Sequence, residues 1–162
     1  MKIIEIQEKT FPINSEIKNA YISFAKMDCS VVAIKTDTKI NGENVIGYGF
    51  HSNGRYAVSE LLKKRFIPRL KEAKEKSLIN DDGSNFSPEK IWKILMKDEK
   101  PGGHGERSTA VGTIDMAIWD IVSKIAQVPL YEHLANKYGN GKFTNKIFVY
   151  AAGGYYYPGK DI

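Results

Sequence analysis

Three glycines, Gly102, Gly103 and Gly105, stand among Lys100, His104, Glu106 and Arg107 in the segment EKPGGHGERS, residues 99–108. Directly after it the chain takes on helical periodicity. A glycine-rich loop that feeds a helix N-terminus suits an anion, because free backbone N–H groups and the positive end of the helix dipole point the same way. It is not a Walker A loop, since Lys100 precedes the glycines instead of following them. It is not a dinucleotide fingerprint either, because no strand leads into it and the spacing differs. His104, taken alone, reads as a loop residue bonded to backbone. His51 and His133 lie far off in sequence, without metal-ligand spacing. Asp115 and Asp120 fall on different faces of one helix, which favours capping contacts and ion pairs with Arg107 or Lys124. No serine stands in a nucleophile-elbow context. The residues alone give an anion-friendly loop without a complete catalytic constellation.

The elements that must hold this loop can be read from pattern. At 162 residues, with 42% hydrophobic and 11% aromatic residues, the chain is long and apolar enough for one domain with a real core. KIIEIQEKTFPI alternates roughly up to Pro12. SVVAIKTDTKINGENVIGYGF is two β-rich runs around Asn41-Gly42, a hairpin signal. Together they predict an antiparallel three-stranded meander. The middle is helical. AVSELLKKRF places Val58, Leu61, Leu62 and Phe66 at helical spacing, and Pro68 is expected to end or kink that helix. INDDGSNF is a loop. Ser87-Pro88-Glu89 is a helix start, with Ile91, Trp92, Leu95 and Met96 as the apolar stripe that follows. A longer helix is expected over residues 109–126, burying Ala110, Ile114, Ala117, Ile118, Ile121 and Ile125, and a short one over PLYEHLANKYG ends at Gly139. KIFVYAAGG reads as a strand buried on both faces, the kind found in parallel sheets, although nothing here offers it a parallel neighbour. The expectation is a chain that stops at the first strand of a larger domain. The alternative is that residues 147–152 join the meander as an edge strand.

Charge and cysteine content narrow the class. The formal charge of +5 comes mostly from lysine, and only Arg55, Arg65, Arg69 and Arg107 are arginines. The densest cluster, KKRFIPRLKEAKEK, is interleaved with Glu72 and Glu75 and lacks an arginine fork or stacking aromatics, so it reads as a solvated helix face and not a nucleic-acid surface. Cys29 is the only cysteine, which excludes an internal disulfide and a cysteine metal cluster and suits a reducing compartment. With no signal-peptide pattern and no membrane-length apolar run, a cytoplasmic protein without a membrane partner is expected.

Several segments in order carry a family resemblance. TIDMAIWDIVSKIAQVPLYEHL resembles the signature helix of the mandelate racemase/muconate lactonizing group of the enolase superfamily, although Ile118, Ser123 and Ala135 depart from its commonest packing residues. NAYISFAKM, GYGFHSNGRY, EKPGGHGERS, VGTIDMA and VYAAGGYYYPGK closely resemble the D-tartrate dehydratases of that group. The resemblance implies an α+β, enolase-like N-terminal capping domain over residues 1–143, with residues 144–162 starting a (β/α) barrel cut short after its first strand. It implies a Mg²⁺-dependent hydro-lyase that removes a proton α to a carboxylate and then expels a β-hydroxyl. The metal and acid/base residues would sit on later barrel strands. This chain alone is therefore expected to be inactive and to bind no metal ion.

The same resemblance places substrate contacts at Asn19, Asn53, Lys100 and Tyr155, with Gly102, Gly103, His104 and Gly105 supporting the loop and Lys100 as the candidate acid. Two amides, a point charge and a phenol suit a small hydroxy-diacid. As plain structure, Asn19 and Asn53 would be turn formers, Lys100 a solvated residue and Tyr155 a packing aromatic. A homo-oligomer is expected. Two other readings are another acid-sugar dehydratase or racemase on the same scaffold, and a free-standing binding domain without chemistry.

Overall fold

The computed structural model describes residues 1–51, 57–102, 105–152 and 159. Three antiparallel strands, β1 (Ile3–Pro12), β2 (Asp28–Ile40) and β3 (Glu43–Phe50), form one sheet in the order β1-β2-β3. The meander is as the sequence predicts. Asn41 and Gly42 sit at the β2–β3 tip with φ of 52° and 86°, the paired left-handed conformation of a tight hairpin. Alternation sets the buried face: Ser30, Val32, Ile34 and Thr36 of β2 point inward and the residues between them do not.

Helices cover that face. They run as α1 (Val58–Leu61), a π-helical turn (Leu62–Phe66), α2 (Ile67–Glu72), a 3₁₀ turn (Glu75–Ser77), α3 (Pro88–Leu95), α4 (Glu106–Ala126) and α5 (Leu130–Tyr138). Pro68 neither ends nor breaks the first helical stretch, which continues to Glu72. The reason lies in the turn before it. The N–H of Ile67 bonds to the carbonyl of Leu62, five residues back, and this wider turn accommodates a proline that lacks an N–H and whose ring would crowd the preceding turn. The apolar spacing agrees. Val58, Leu62, Phe66 and Leu70 recur every fourth residue and are all buried. In a regular α-helix such a row would drift by about 40° at each step, and the π-turn brings it back onto the core.

Ser87 caps α3 by accepting from the N–H of Lys90, with Pro88 in the first turn. Ile91 and Leu95 of α3 are buried, whereas Trp92 is half-exposed and off the core stripe. α4 starts three residues earlier than periodicity suggests, at Glu106, and Ala110, Ile114, Ala117, Ile118 and Ile121 are fully buried along it while Ile125 is partly so. α5 ends at Gly139 as expected.

β3 lies directly against α4. A side chain added at Gly47 would come within 2.1 Å of the Ala117 carbonyl oxygen, and one at Gly49 within 2.0 Å of that of Thr113. Both glycines are therefore contact points between two backbones. α4 also covers the outer edge of β3. Asp120 Oδ2 accepts from the N–H of Tyr48 at 2.9 Å, and Lys124 Nζ donates to the carbonyl of Ile46 at 2.8 Å.

The run at residues 147–152 is not a strand in this chain, and it does not join the meander. Ile147, Phe148, Val149 and Tyr150 are 72–93% exposed. A strand requires a ladder partner, and at the β3 edge the N–H of Tyr48 and the carbonyl of Ile46 are already bonded to Asp120 and Lys124.

Gly49→Ala is expected to destabilise the protein by about 1–3 kcal/mol through overpacking against α4. Gly112→Ala, within α4 and with open space around it, should stabilise by about 0.5–1 kcal/mol. Urea unfolding of the two variants checks both signs, and equal midpoints would contradict the close approach.

Candidate functional site

The loop that opens α4 is organised by one carboxylate. The Glu99 side chain is 1% exposed and three guanidiniums surround it. Arg69 Nη1 lies 2.7 Å from Oε1 and also donates to the Leu95 carbonyl at 2.7 Å. Arg65 Nη2 lies 2.7 and 2.9 Å from the two oxygens, and Arg107 Nη1 is 3.5 Å from Oε2. Burial pushes the Glu99 carboxyl up, but the Arg69 hydrogen bond and the charges of Arg65, Arg69 and Arg107 outweigh it and hold the group below the usual carboxylate range. Arg65 and Arg69 come from the π-turn and α2, flank the buried Phe66 ring, and stand 5.7 and 5.5 Å from its centroid.

Arg107, in the first turn of α4, reaches back over the loop. It donates to the carbonyl of Lys100 at 2.9 Å and to that of Gly102. Gly102 and Gly105 have φ of 77° and 91°, a region that favours glycine. Gly105 is the N-cap residue of α4 and makes no side-chain capping bond.

Sequence-predicted residues fall into three groups. Lys100, Gly102 and Gly105 are brought together in the loop fixed by Arg107, and the Lys100 side chain is exposed. Asn19 lies on the separate β1–β2 connection, where its Oδ1 accepts from the N–H groups of Tyr21 and Ile22 at 2.8 and 2.7 Å, an Asx turn. Asn53, Gly103, His104 and Tyr155 lie outside the described residues. Two clefts on the helical side, one lined by Arg69, Lys97 and Asp98 and the other by Trp92, Asp115 and Trp119, include neither Asn19 nor Lys100. Asp120 pairs with Lys124 at 2.7 Å, as its position suggested, whereas Arg107 serves Glu99 and the loop instead of either helix aspartate. Sequence reasoning missed Glu99, Arg65 and Arg69. The only signal was that arginine is rare in this lysine-rich chain, so three of its four arginines in one place is unlike the rest of its charge.

No family model matches the chain. It is 31% identical over 153 residues to the D-galactonate dehydratase family member RspA of Halomonas elongata, a match covering 91% of this chain and 32% of that protein. It is 28% identical over 140 residues to the family member ManD of Chromohalobacter salexigens, covering 84% of this chain and 30% of that one. The chain is similar to D-galactonate dehydratase family members. It spans about a third of the length of the curated relatives it matches. The names of these relatives do not support the narrower likeness to D-tartrate dehydratases. Among solved structures, a mandelate racemase/muconate lactonizing enzyme-like protein from Rubrobacter xylanophilus matches with a TM-score of 0.48 and 15% identity, over 82% of this chain and 32% of that one.

Among the described residues, no three His, Cys, Asp or Glu side chains gather as a metal ion would need. The Mg²⁺ implied by the resemblance does not fit this set. Among the same residues no helix is long and apolar enough to cross a membrane.

Acid should weaken the fold through three carboxylates. Burial pushes Glu8 up, but bonds from Thr10, Lys63 and Ser59 bring it below its ordinary value, and Glu99 is lowered as described. Burial also pushes Glu89 up, yet Lys137 and Tyr138 bring it down to about 2. Each group's folded value lies below its unfolded one, so its contribution is complete above about pH 5 and is lost as pH falls towards 2. Urea midpoints should drop across that window. Glu89 is half-exposed, so its share is below about 1 kcal/mol. Glu99→Gln should cost about 1.5–3 kcal/mol at neutral pH and flatten part of the acid slope. An unchanged slope in that variant would count against the three-arginine arrangement.

Proposed function

We propose that this chain is the substrate-facing cap of an acid-sugar dehydratase, with residues 1–143 as the cap and residues 144–162 as the start of a barrel. One observation carries the reading. A lysine-bearing glycine loop is pinned by Arg107 at the start of α4, in a chain similar over 91% of its length to a D-galactonate dehydratase family member. The reaction is loss of a proton α to a carboxylate, departure of the β-hydroxyl as water, and tautomerisation of the enol to a 2-oxo acid. In this reading the chain's own residues bind and orient. Lys100 supplies a positive charge to an anionic end of the substrate, and the loop limits water around it. Magnesium belongs to the same proposal as a cofactor held by residues other than those described, and no step here passes through it.

Two substrate classes follow from different observations. The five tartrate-like segments favour a small hydroxy-diacid, with Lys100 on its distal carboxylate. The names of the relatives favour a longer acid sugar with a single carboxylate.

The complete enzyme that carries this cap should release a 2-oxo acid from at least one member of a panel containing D-tartrate and D-galactonate, followed as semicarbazone absorbance with magnesium present. Product from none of the panel would end the reading. Lys100→Met then separates the classes. On a diacid it should cost about 1.5–3 kcal/mol, roughly one to two decades in kcat/KM, mostly in KM if the lysine only binds. A further fall in kcat of about a hundredfold would mark it as the proton donor as well. On a single-carboxylate sugar the change should stay within about threefold. A variant that matches the parent on a diacid would remove Lys100 from the site.

A further inference from the structure

We infer that Arg107 is a positioning residue that presets the backbone of residues 100–102, with Glu99 as its anchor, so that Lys100 leaves the loop in one direction. The inference rests on the reading that this loop meets the substrate.

Arg107 sits where a cation is disfavoured, in the first turn of α4 at the positive end of the helix dipole. Glu99 does not need it for neutralisation. Arg65 and Arg69 already reach the carboxylate at 2.7–2.9 Å, whereas Arg107 stays 3.5 Å away. The close contacts of Arg107 are with the carbonyls on either side of Pro101, those of Lys100 and Gly102. A planar fork of donors suits two carbonyl oxygens at once, as a lysine ammonium on a flexible stem does not.

Burial cannot order this stretch, because Lys100, Pro101 and Gly102 are all exposed. Three local constraints do so instead. Proline fixes its own φ, Gly102 takes a left-handed φ of 77°, and Arg107 holds the carbonyls of Lys100 and Gly102, one on each side of Pro101. A lysine side chain has little directional preference of its own, so its aim is set by the backbone that carries it. Fixing that backbone before the ligand arrives removes an ordering cost from binding. Glu99 fixes the guanidinium in turn and is itself held by two other arginines, Arg65 of the π-turn and Arg69 of α2.

The test uses Arg107→Gln, Arg107→Lys and Lys100→Met in the protein, with the double variant Arg107→Gln/Lys100→Met. Hydrogen exchange read by mass spectrometry should quicken about tenfold or more in peptides covering residues 99–102 of Arg107→Gln, with the urea midpoint little changed. Arg107→Lys should not restore protection, because it keeps the charge and loses the fork. On a diacid that the complete enzyme dehydrates, Arg107→Gln should raise KM about tenfold and leave kcat within about twofold; on a single-carboxylate sugar, where Lys100 itself matters little, exchange decides alone. In the double variant Arg107→Gln should add almost nothing to the effect of Lys100→Met, since Arg107 acts through Lys100. Unchanged exchange in Arg107→Gln, or KM effects that simply multiply in the double variant, would overturn the inference. If none of the acids is dehydrated, the substrate reading fails by itself. Exchange then decides alone, with quickened exchange supporting the role of Arg107 and unchanged exchange refuting it.

Discussion

The fold depends on how closely one strand can lie on one helix. Gly47 and Gly49 remove the side chains that would hold β3 away from α4, and the two backbones meet at Ala117 and Thr113. Asp120 and Lys124, one turn apart on α4, then complete the contact by bonding to the outward N–H of Tyr48 and carbonyl of Ile46. The result is a helix fixed in translation and rotation against the sheet. Everything at the start of α4 inherits that placement, including Gly105 and Arg107. The apolar residues of α1, the π-turn and α2 pack into the same core and inherit it from the other side.

The two sets of inherited positions meet at Glu99. A carboxylate with almost no exposure needs compensating charge, and it receives it from Arg65 and Arg69 on one side and Arg107 on the other. The cluster thus links the first helical stretch to the loop and to α4 without passing through apolar packing. Packing sets where the elements are, while the arginines set how the exposed loop between them is shaped.

Short-range chemistry was legible in the sequence. Asn41-Gly42, Ser87-Pro88-Glu89 and the period of α4 each state their structure within a few neighbouring residues. Long-range pairing was not. Glu99 lies 34 residues from Arg65 and 30 from Arg69, and no local pattern distinguishes those arginines from a solvated basic face. Pro68 misled because a proline inside a helical pattern usually ends it, and the strict four-residue apolar row that signals a wider turn has to be weighed against that rule. The run at residues 147–152 has the composition of a buried strand, but composition cannot supply a partner. Of the expected site, Lys100, Gly102 and Gly105 lie in one loop, and Asn19 makes an Asx turn.

The π-turn at Leu62–Phe66 lets this part of the chain absorb a change in length as well as in composition. It holds one more residue than an α-helical path of the same rise would. Losing Lys63 or Lys64 would let the stretch wind as a regular α-helix with the segments on its two sides in nearly the same relative rotation, because apolar spacings of four, three and four keep the row within about 60°. Val58 and Leu62 would still share the core with Phe66 and Leu70, and Arg65 and Arg69 would still both face Glu99. Point changes that keep an apolar residue at every fourth position leave the arrangement intact. A single-codon deletion of Lys63 or Lys64 does so too, so over evolutionary time this segment can vary its number of letters by one as well as the letters themselves.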